Sequence, residues 1–348
     1  MNSTEDPDYP QQLLNYRDGF LVSKVMFTAC ELGVFDLLHE MGEPLTTATI
    51  ASRLCASVDG TDRLLTTCVG LKLLNVELKN DEAYYSNTDL STTYLVKSSP
   101  KTMYPMMMYY SNTIYRCWQF LPQAVSEGKN QYERAFGVSS ENPFNAVYRS
   151  EEELLTFMGF MDSLSTLCGK YVLQAFDLSM FHTVCDLGGC SGSIAKQFVS
   201  TYPGSTVTIM DLPKVIQTAN RDFITDKDQH ISLLEGDFFT DPIPEADLFI
   251  LSSILHDWDN DKCSQLLKKA YQSCRPGGGV LLLEVLLNED KSGPLVSQLY
   301  SLKMLLQTEG RERTSSEYTK LLTDSGFRDI QVKVTGKLYD AILARKVV

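Results

Sequence analysis

The chain has 348 residues, 43% of them apolar and 22% charged. That is ordinary globular composition, enough for roughly two domains and a sizeable core, and it excludes disorder. Net charge is −13, from 31 basic and 44 acidic side chains, spread evenly with no basic stripe, so phosphate repulsion excludes nucleic acid and anionic membrane as partners.

The nine cysteines are scattered and no C-x-x-C occurs. Neither a disulfide framework nor a zinc site is indicated. The opening MNSTEDPDYP is acidic, unlike a signal peptide, and no apolar run approaches a membrane span. A cytoplasmic location is expected.

The first hundred residues read as helical with short breaks. Leu21, Val25, Met26, Ala29 and Leu32 recur at helical spacing, and Gly33 follows. A second helix is expected over Thr47–Leu54, capped by Thr46 or Thr47. A third is expected over Gly60–Leu73, then a hairpin from Val76–Leu78 and Ala83–Tyr85. Three helices and a small hairpin form a winged-helix pattern. Because the segment is acidic, dimerisation fits it better than DNA binding. Residues 103–120 are rich in Met and aromatics. They suit buried core or a subunit interface, and also the wall of a pocket for a flat ligand.

From residue 183 strand-like and helical runs alternate. Strands are expected at Thr183–Leu187, Thr206–Met210, Ile231–Leu234, Leu248–Leu251 and Val280–Leu287. Helices are expected at Ser193–Thr201, Pro213–Phe223 and Asp259–Cys274, the last stopped by Arg275-Pro276-Gly277-Gly278-Gly279. This predicts an α/β domain with a mostly parallel sheet. Ile330–Thr335 and Tyr339–Ala344 are too closely linked for anything but an antiparallel pair.

Several motifs fall at strand ends, where open α/β sheets bind ligands. Asp186-Leu187-Gly188-Gly189-Cys190-Ser191-Gly192 opens into a helix, and its glycines allow close backbone approach. The dinucleotide pattern G-x-G-x-x-G does not fit it. Asp211 ends the next strand, where a carboxylate accepts from ribose hydroxyls. In Gly236-Asp237-Phe238, Asp237 suits an adenine amino group and Phe238 its ring. His256-Asp257-Trp258 follows the fourth strand, and histidine is suited to proton transfer near neutral pH. Glu284 ends the fifth strand and Glu312 lies on the loop before a helix; either reads as a solvated carboxylate or, if it faces His256, as the group that orients the imidazole, as in a triad. Arg311 and Arg313 read as surface-pairing residues, and Thr314 as a helix cap.

Taken together, these motifs resemble the small-molecule O-methyltransferases that use S-adenosylmethionine. The resemblance covers nearly the whole chain, including KVMFTACELGVFDLL, NQYERAFG, EGDFF, ILHDW, RPGGG, QLYSL and QTEG. It implies a Rossmann-like class I methyltransferase domain with a seven-stranded sheet and an antiparallel last strand, over residues 111–348 with a helical lead-in to about 180. Before it, residues 1–110 would form a winged-helix-like domain that makes a homodimer. It implies S-adenosylmethionine as methyl donor, held by Tyr148, Gly188, Gly189, Asp211, Gly236, Asp237 and Phe238, and no metal. It implies a hydroxyindole acceptor met by Asp257, Lys303 and Gln307, with His256 as general base and Glu284 and Glu312 beside it. No carboxylate cluster of the kind used in metal-dependent catechol methylation is evident.

The chain also departs from the family pattern. Cys190 replaces a loop glycine, Ser165 a cofactor-contacting Trp, Ser253 an Arg near the cofactor, and Lys303 an Asn at the substrate. Two alternatives share the same motifs: methylation of another hydroxy-aromatic, and a weakly active dimeric paralogue with a regulatory role.

Overall fold

The computed structural model describes residues 9–138 and 143–347; the acidic start, residues 1–8, lies outside them. The chain divides into two compact units, Met1–Thr113 and Ile114–Val348.

In the first unit a helix runs Gln11–Glu31, and Gly33 then adopts the left-handed φ of 78° that starts a second helix, Val34–Met41. Sequence periodicity missed that second helix because it is only two turns long. Strand β1 (Leu45–Thr46) leads into the helix Thr47–Arg53, where the Thr46 hydroxyl accepts from Thr49 N–H as N-cap. A helix at Val58–Gly70 follows. Strands β2 (Leu74–Lys79) and β3 (Glu82–Asn87) form the hairpin. Its two turn residues, Asn80 and Asp81, both have positive φ (51° and 65°), as a tight hairpin matching strand twist requires. β1 pairs with β3, completing the three-stranded wing. Phe35, Ile50, Leu65 and Tyr85 form the core of this unit. Met108, from the Met-rich segment, packs into the same core. That half of the segment is therefore core.

The second unit carries β4 (Thr183–Leu187), β5 (Thr206–Asp211), β6 (Ile231–Glu235), β7 (Ala246–Ser252), β8 (Cys274–Glu284), β9 (Leu286–Leu287), β10 (Arg313–Thr314), β11 (Arg328–Lys333) and β12 (Asp340–Arg345). The main sheet has the order β11-β12-β8-β7-β4-β5-β6. Only β12 is reversed, antiparallel to both β8 and β11. Helices Ser193–Thr201, Pro213–Thr218 and Asn260–Ser273 are the crossovers, with Asp259 capping the last. β4 and β7 are buried almost throughout, as a sheet covered on both faces demands.

The Arg275–Gly279 run does not break the fold as a loop; it is the start of β8. Glycine is needed there because neighbouring strands come close. A Cβ on Gly279 would lie 2.4 Å from the Ala344 carbonyl oxygen of β12. Gly279→Ala should therefore cost about 2 kcal/mol. Thermal unfolding should show a Tm lower by roughly 5 °C; an unchanged Tm would mean the strands separate without cost.

Candidate functional site

The C-terminal ends of β4–β7 converge on an open cavity. Tyr148, Gly188, Asp211, Gly236, Asp237 and Phe238 all line it, as does Asp257. Gly189 does not, and its role lies beneath the loop. A Cβ there would meet Asp186 Oδ2 at 2.7 Å, so the glycine leaves room for a buried carboxylate under the turn. At Gly188, φ is 72° and a Cβ would lie 2.4 Å from Ile254 Cδ1. The cradle is thus shaped by missing side chains.

Asp211 accepts from the Cys190 N–H (3.0 Å) and the Leu212 N–H (2.7 Å). It therefore braces the glycine loop as well as facing the cavity. Burial pushes its pKa up to about 6, against those two bonds. Burial, and then the Asp211 charge, push Asp186 up to about 7. Asp237 Oδ1 accepts from Phe239 N–H at 2.8 Å, and Lys269 Nζ donates to the Phe238 carbonyl at 2.9 Å. Lys269 gave no sequence signal, because a lysine on a crossover helix looks like any solvated one.

An aromatic wall closes the cavity. Phe144 and Phe239 pack on Trp258 with ring centroids 5.6 and 4.9 Å away. Phe157, which also lines the cavity, meets Tyr148 edge-on at 5.7 Å. These rings come from segments far apart in sequence, and only folding assembles them.

His256 sits on a single 3₁₀ turn, Leu255–Asp257, directly after β7. Its Nδ1 lies 2.8 Å from Glu312 Oε1 and 3.7 Å from Glu284 Oε2, and its Nε2 lies 3.7 Å from Asp257 Oδ1. All four side chains are buried. Glu284 also accepts from Leu255 N–H at 2.9 Å. Burial by itself drives the imidazole pKa down, but Glu312, Asp257 and Glu284 outweigh it and raise the value to about 10. Burial raises Glu284 to about 7 and Asp257 to about 6. So a carboxylate cluster does exist here, contrary to the sequence reading. His256, Glu284 and Glu312 offer ligand atoms within 4.8 Å of one another. They are 28 residues apart in each step, a spacing that signals nothing before folding.

Lys303 is buried, its ammonium 4.8 Å from the Phe160 ring centroid and 5.0 Å from that of Tyr300. Its charge holds Asp257 down, against burial. Gln307 is buried and donates to Tyr132 Oη at 2.9 Å. Neither lines the cavity.

The departures now have a structural account. Cys190 has φ 52° and Ser253 has φ 55°, a region where a side chain is strained. Ser253 Oγ donates to Tyr339 Oη at 2.7 Å, tying the end of β7 to the start of β12. Ser165 is buried, and its carbonyl accepts from Gln197 Nε2 at 3.0 Å. Arg313 is not a surface residue: it is 1% exposed. Arg311 does pair on the surface, with Glu317 at 3.2 Å. Thr314 caps its helix in a full capping box with Glu317.

Residues 118–328 match the O-methyltransferase domain family, and residues 14–97 match the O-methyltransferase dimerisation domain. The chain belongs to the S-adenosylmethionine-dependent O-methyltransferases. The acetylserotonin O-methyltransferase of Gallus gallus is 60% identical over 99% of this chain and all of that protein. The Homo sapiens enzyme of that name is 53% identical, again over 99% of this chain and all of that one. The crystal structure of human N-acetylserotonin methyltransferase in complex with S-adenosylmethionine superposes with a TM-score of 0.96, at 52% identity, over the whole of both chains. This O-methyltransferase has the family's mixed seven-stranded sheet after a helical dimerisation domain, and no helix among its described residues is long and apolar enough to cross a membrane.

The site has a consequence for stability. The folded imidazole keeps its proton to about pH 10, an unfolded one only to about 6.5. Between those values the folded state binds more protons, so stability falls as pH rises. The Tm of the free protein should decline from about pH 7 to about pH 9, and His256→Gln should flatten that decline. Equal slopes for the two proteins would show that His256 is not charged in the fold.

Proposed function

We propose that this enzyme methylates the 5-hydroxyl of N-acetylserotonin, giving melatonin and S-adenosylhomocysteine, with His256 as general base and no metal. The observation that carries the base assignment is the Glu312–His256 contact of 2.8 Å beside the cavity. It holds Nδ1 as the donor and leaves Nε2 as the nitrogen that takes the proton.

The glycine cradle, the Asp211 carboxylate and the aromatic wall fit a nucleoside with a cationic tail. S-adenosylmethionine supplies, when bound, an electrophilic methyl on sulfur. Asp211 would accept from the ribose hydroxyls, with Gly188, Gly189 and Gly236 clearing the approach. Asp237 and Phe238 would serve the base, with Tyr148 across the cavity.

An acceptor phenol has a pKa of about 10 and is mostly neutral near pH 7. His256 removes its proton as the oxygen attacks, and Glu312 and Glu284 stabilise the imidazolium that forms. In the free site His256 is already charged. A cation in the adjoining cavity opposes that charge and moves the imidazole towards neutrality. Asp257, Lys303 and Gln307 would meet the acceptor, Lys303 as a donor to its amide oxygen. The carboxylates do not call for a metal, because the proton between His256 and Glu312 fills the role a cation would have.

The dimerisation match over residues 14–97 supports a homodimer, here placed through residues 1–110 with catalysis in 111–348; the proposed location is the cytoplasm. The first helix exposes Leu13, Tyr16 and Phe20, an apolar set suited to a second subunit. Lys303 favours a second reading, another hydroxy-aromatic acceptor. A panel of phenols, with wild type beside Lys303→Asn, separates the two.

His256→Ala should lower kcat by about 10²–10⁴-fold, with S-adenosylhomocysteine affinity nearly unchanged by calorimetry. Near-normal turnover removes His256 from the mechanism. Asp211→Ala should weaken that same affinity by roughly 10–100-fold, the value of a charged hydrogen bond. Exhaustive chelation should leave turnover unchanged, and loss restored by a divalent ion would overturn the metal-free reading.

A further inference from the structure

Among the described residues, Arg313 is the largest fully buried side chain. A guanidinium is tolerated there only if its five N–H donors are met. Five contacts meet them. Nη1 donates to the carbonyls of Leu255 (2.8 Å) and Arg311 (3.4 Å). Nη2 donates to the Trp258 carbonyl (2.7 Å) and to Asn260 Oδ1 (3.0 Å), and Nε donates to Asn260 Oδ1 (3.1 Å). None of these acceptors is a carboxylate. The guanidinium instead grips the chain on both sides of His256-Asp257.

The grip is part of a larger frame. β10 pairs in parallel with β9, placing Arg313 opposite Leu286. Glu312 is Arg313's chain neighbour, and Glu284 lies two residues before Leu286. The Leu255 peptide is held at both ends, its N–H by Glu284 (2.9 Å) and its carbonyl by Arg313. One three-residue turn therefore carries His256 with little intrinsic rigidity, and the β9–β10 ladder supplies the rigidity from outside.

We propose that Arg313 is a positioning residue for methyl transfer, fixing the His256 turn so that the imidazole stays in register with Glu312 and Glu284. This rests on His256 being the base. Lysine cannot replace it, since an ammonium is a point charge without the planar fork.

The test uses the full-length enzyme with N-acetylserotonin and S-adenosylmethionine. Arg313→Lys keeps the charge and loses the fork; kcat should fall by roughly 10–100-fold, the scale of a misplaced catalytic group. Acceptor KM and S-adenosylhomocysteine affinity should stay near wild type. Asn260→Ala removes an exposed acceptor of two of the five bonds, and should lower kcat about two- to fivefold in the same pattern. The groups facing His256 are Glu284 from β8, Glu312 before β10 and Asp257 on its own turn, with Arg313, Lys303, Tyr318 and Cys263 behind them. Arg313→Lys should therefore leave the acid limb of the kcat–pH profile in place. Arg313→Met, which removes the opposing charge, should move it to higher pH. If Arg313→Lys does not fold, Asn260→Ala decides. Wild-type kcat in both, while His256→Ala is inactive, overturns the positioning role alone. So does a parallel fall of kcat, cofactor affinity and Tm, the mark of a general packing role. Activity in His256→Ala overturns the base assignment and this proposal with it.

Discussion

A hydrogen bond of 2.8 Å joins His256 Nδ1 to Glu312, inside a pocket that holds two more carboxylates. Burying an imidazole and three carboxylates together is costly unless they share protons and hydrogen bonds. The surroundings of this cluster are arranged to meet that cost. Glu284 takes a backbone N–H at 2.9 Å, and the buried Arg313 opposes the acidic excess. The small β9–β10 ladder exists at this point of the fold, and it brings the two glutamates to the same side of the histidine. With His256 as the proposed base, methyl transfer depends on that arrangement, because an imidazole free to rotate would not keep one nitrogen as donor and the other as acceptor.

The glycine-lined side of the cavity follows a different logic. There the protein works by absence: three glycines without side chains, and a single aspartate whose oxygens serve both the loop and the cavity. Two cavity-lining residues other than glycine, Cys190 and Ser253, are also held at positive φ. The Ser253–Tyr339 bond shows how one such position is stabilised, by the residue just before β12.

Much of this was legible in the sequence. Strand ends announced themselves through Gly188, Asp211, Asp237 and His256, since a parallel sheet puts such residues at one edge. The antiparallel β12 followed from a link too short for a crossover. What stayed hidden had one physical origin, long-range assembly. The Phe144–Trp258–Phe239 wall, the clustering of three carboxylates and the burial of Arg313 join segments with no shared local pattern. Arg313 was misread because a charged residue near another arginine looks solvated, and only its five hydrogen bonds reveal otherwise. The helix Val34–Met41 was missed for the opposite reason, being too short to show a period.

Cys190 lines the cavity proposed to receive the methyl donor. Thiolates are nucleophiles, and one in that place would be alkylated in the course of turnover. Burial, followed by the Asp211 charge, pushes the Cys190 pKa well above its ordinary value, so the sulfur stays a neutral thiol. Under that reading, burial and the carboxylate that braces the loop both favour the unreactive thiol form of Cys190.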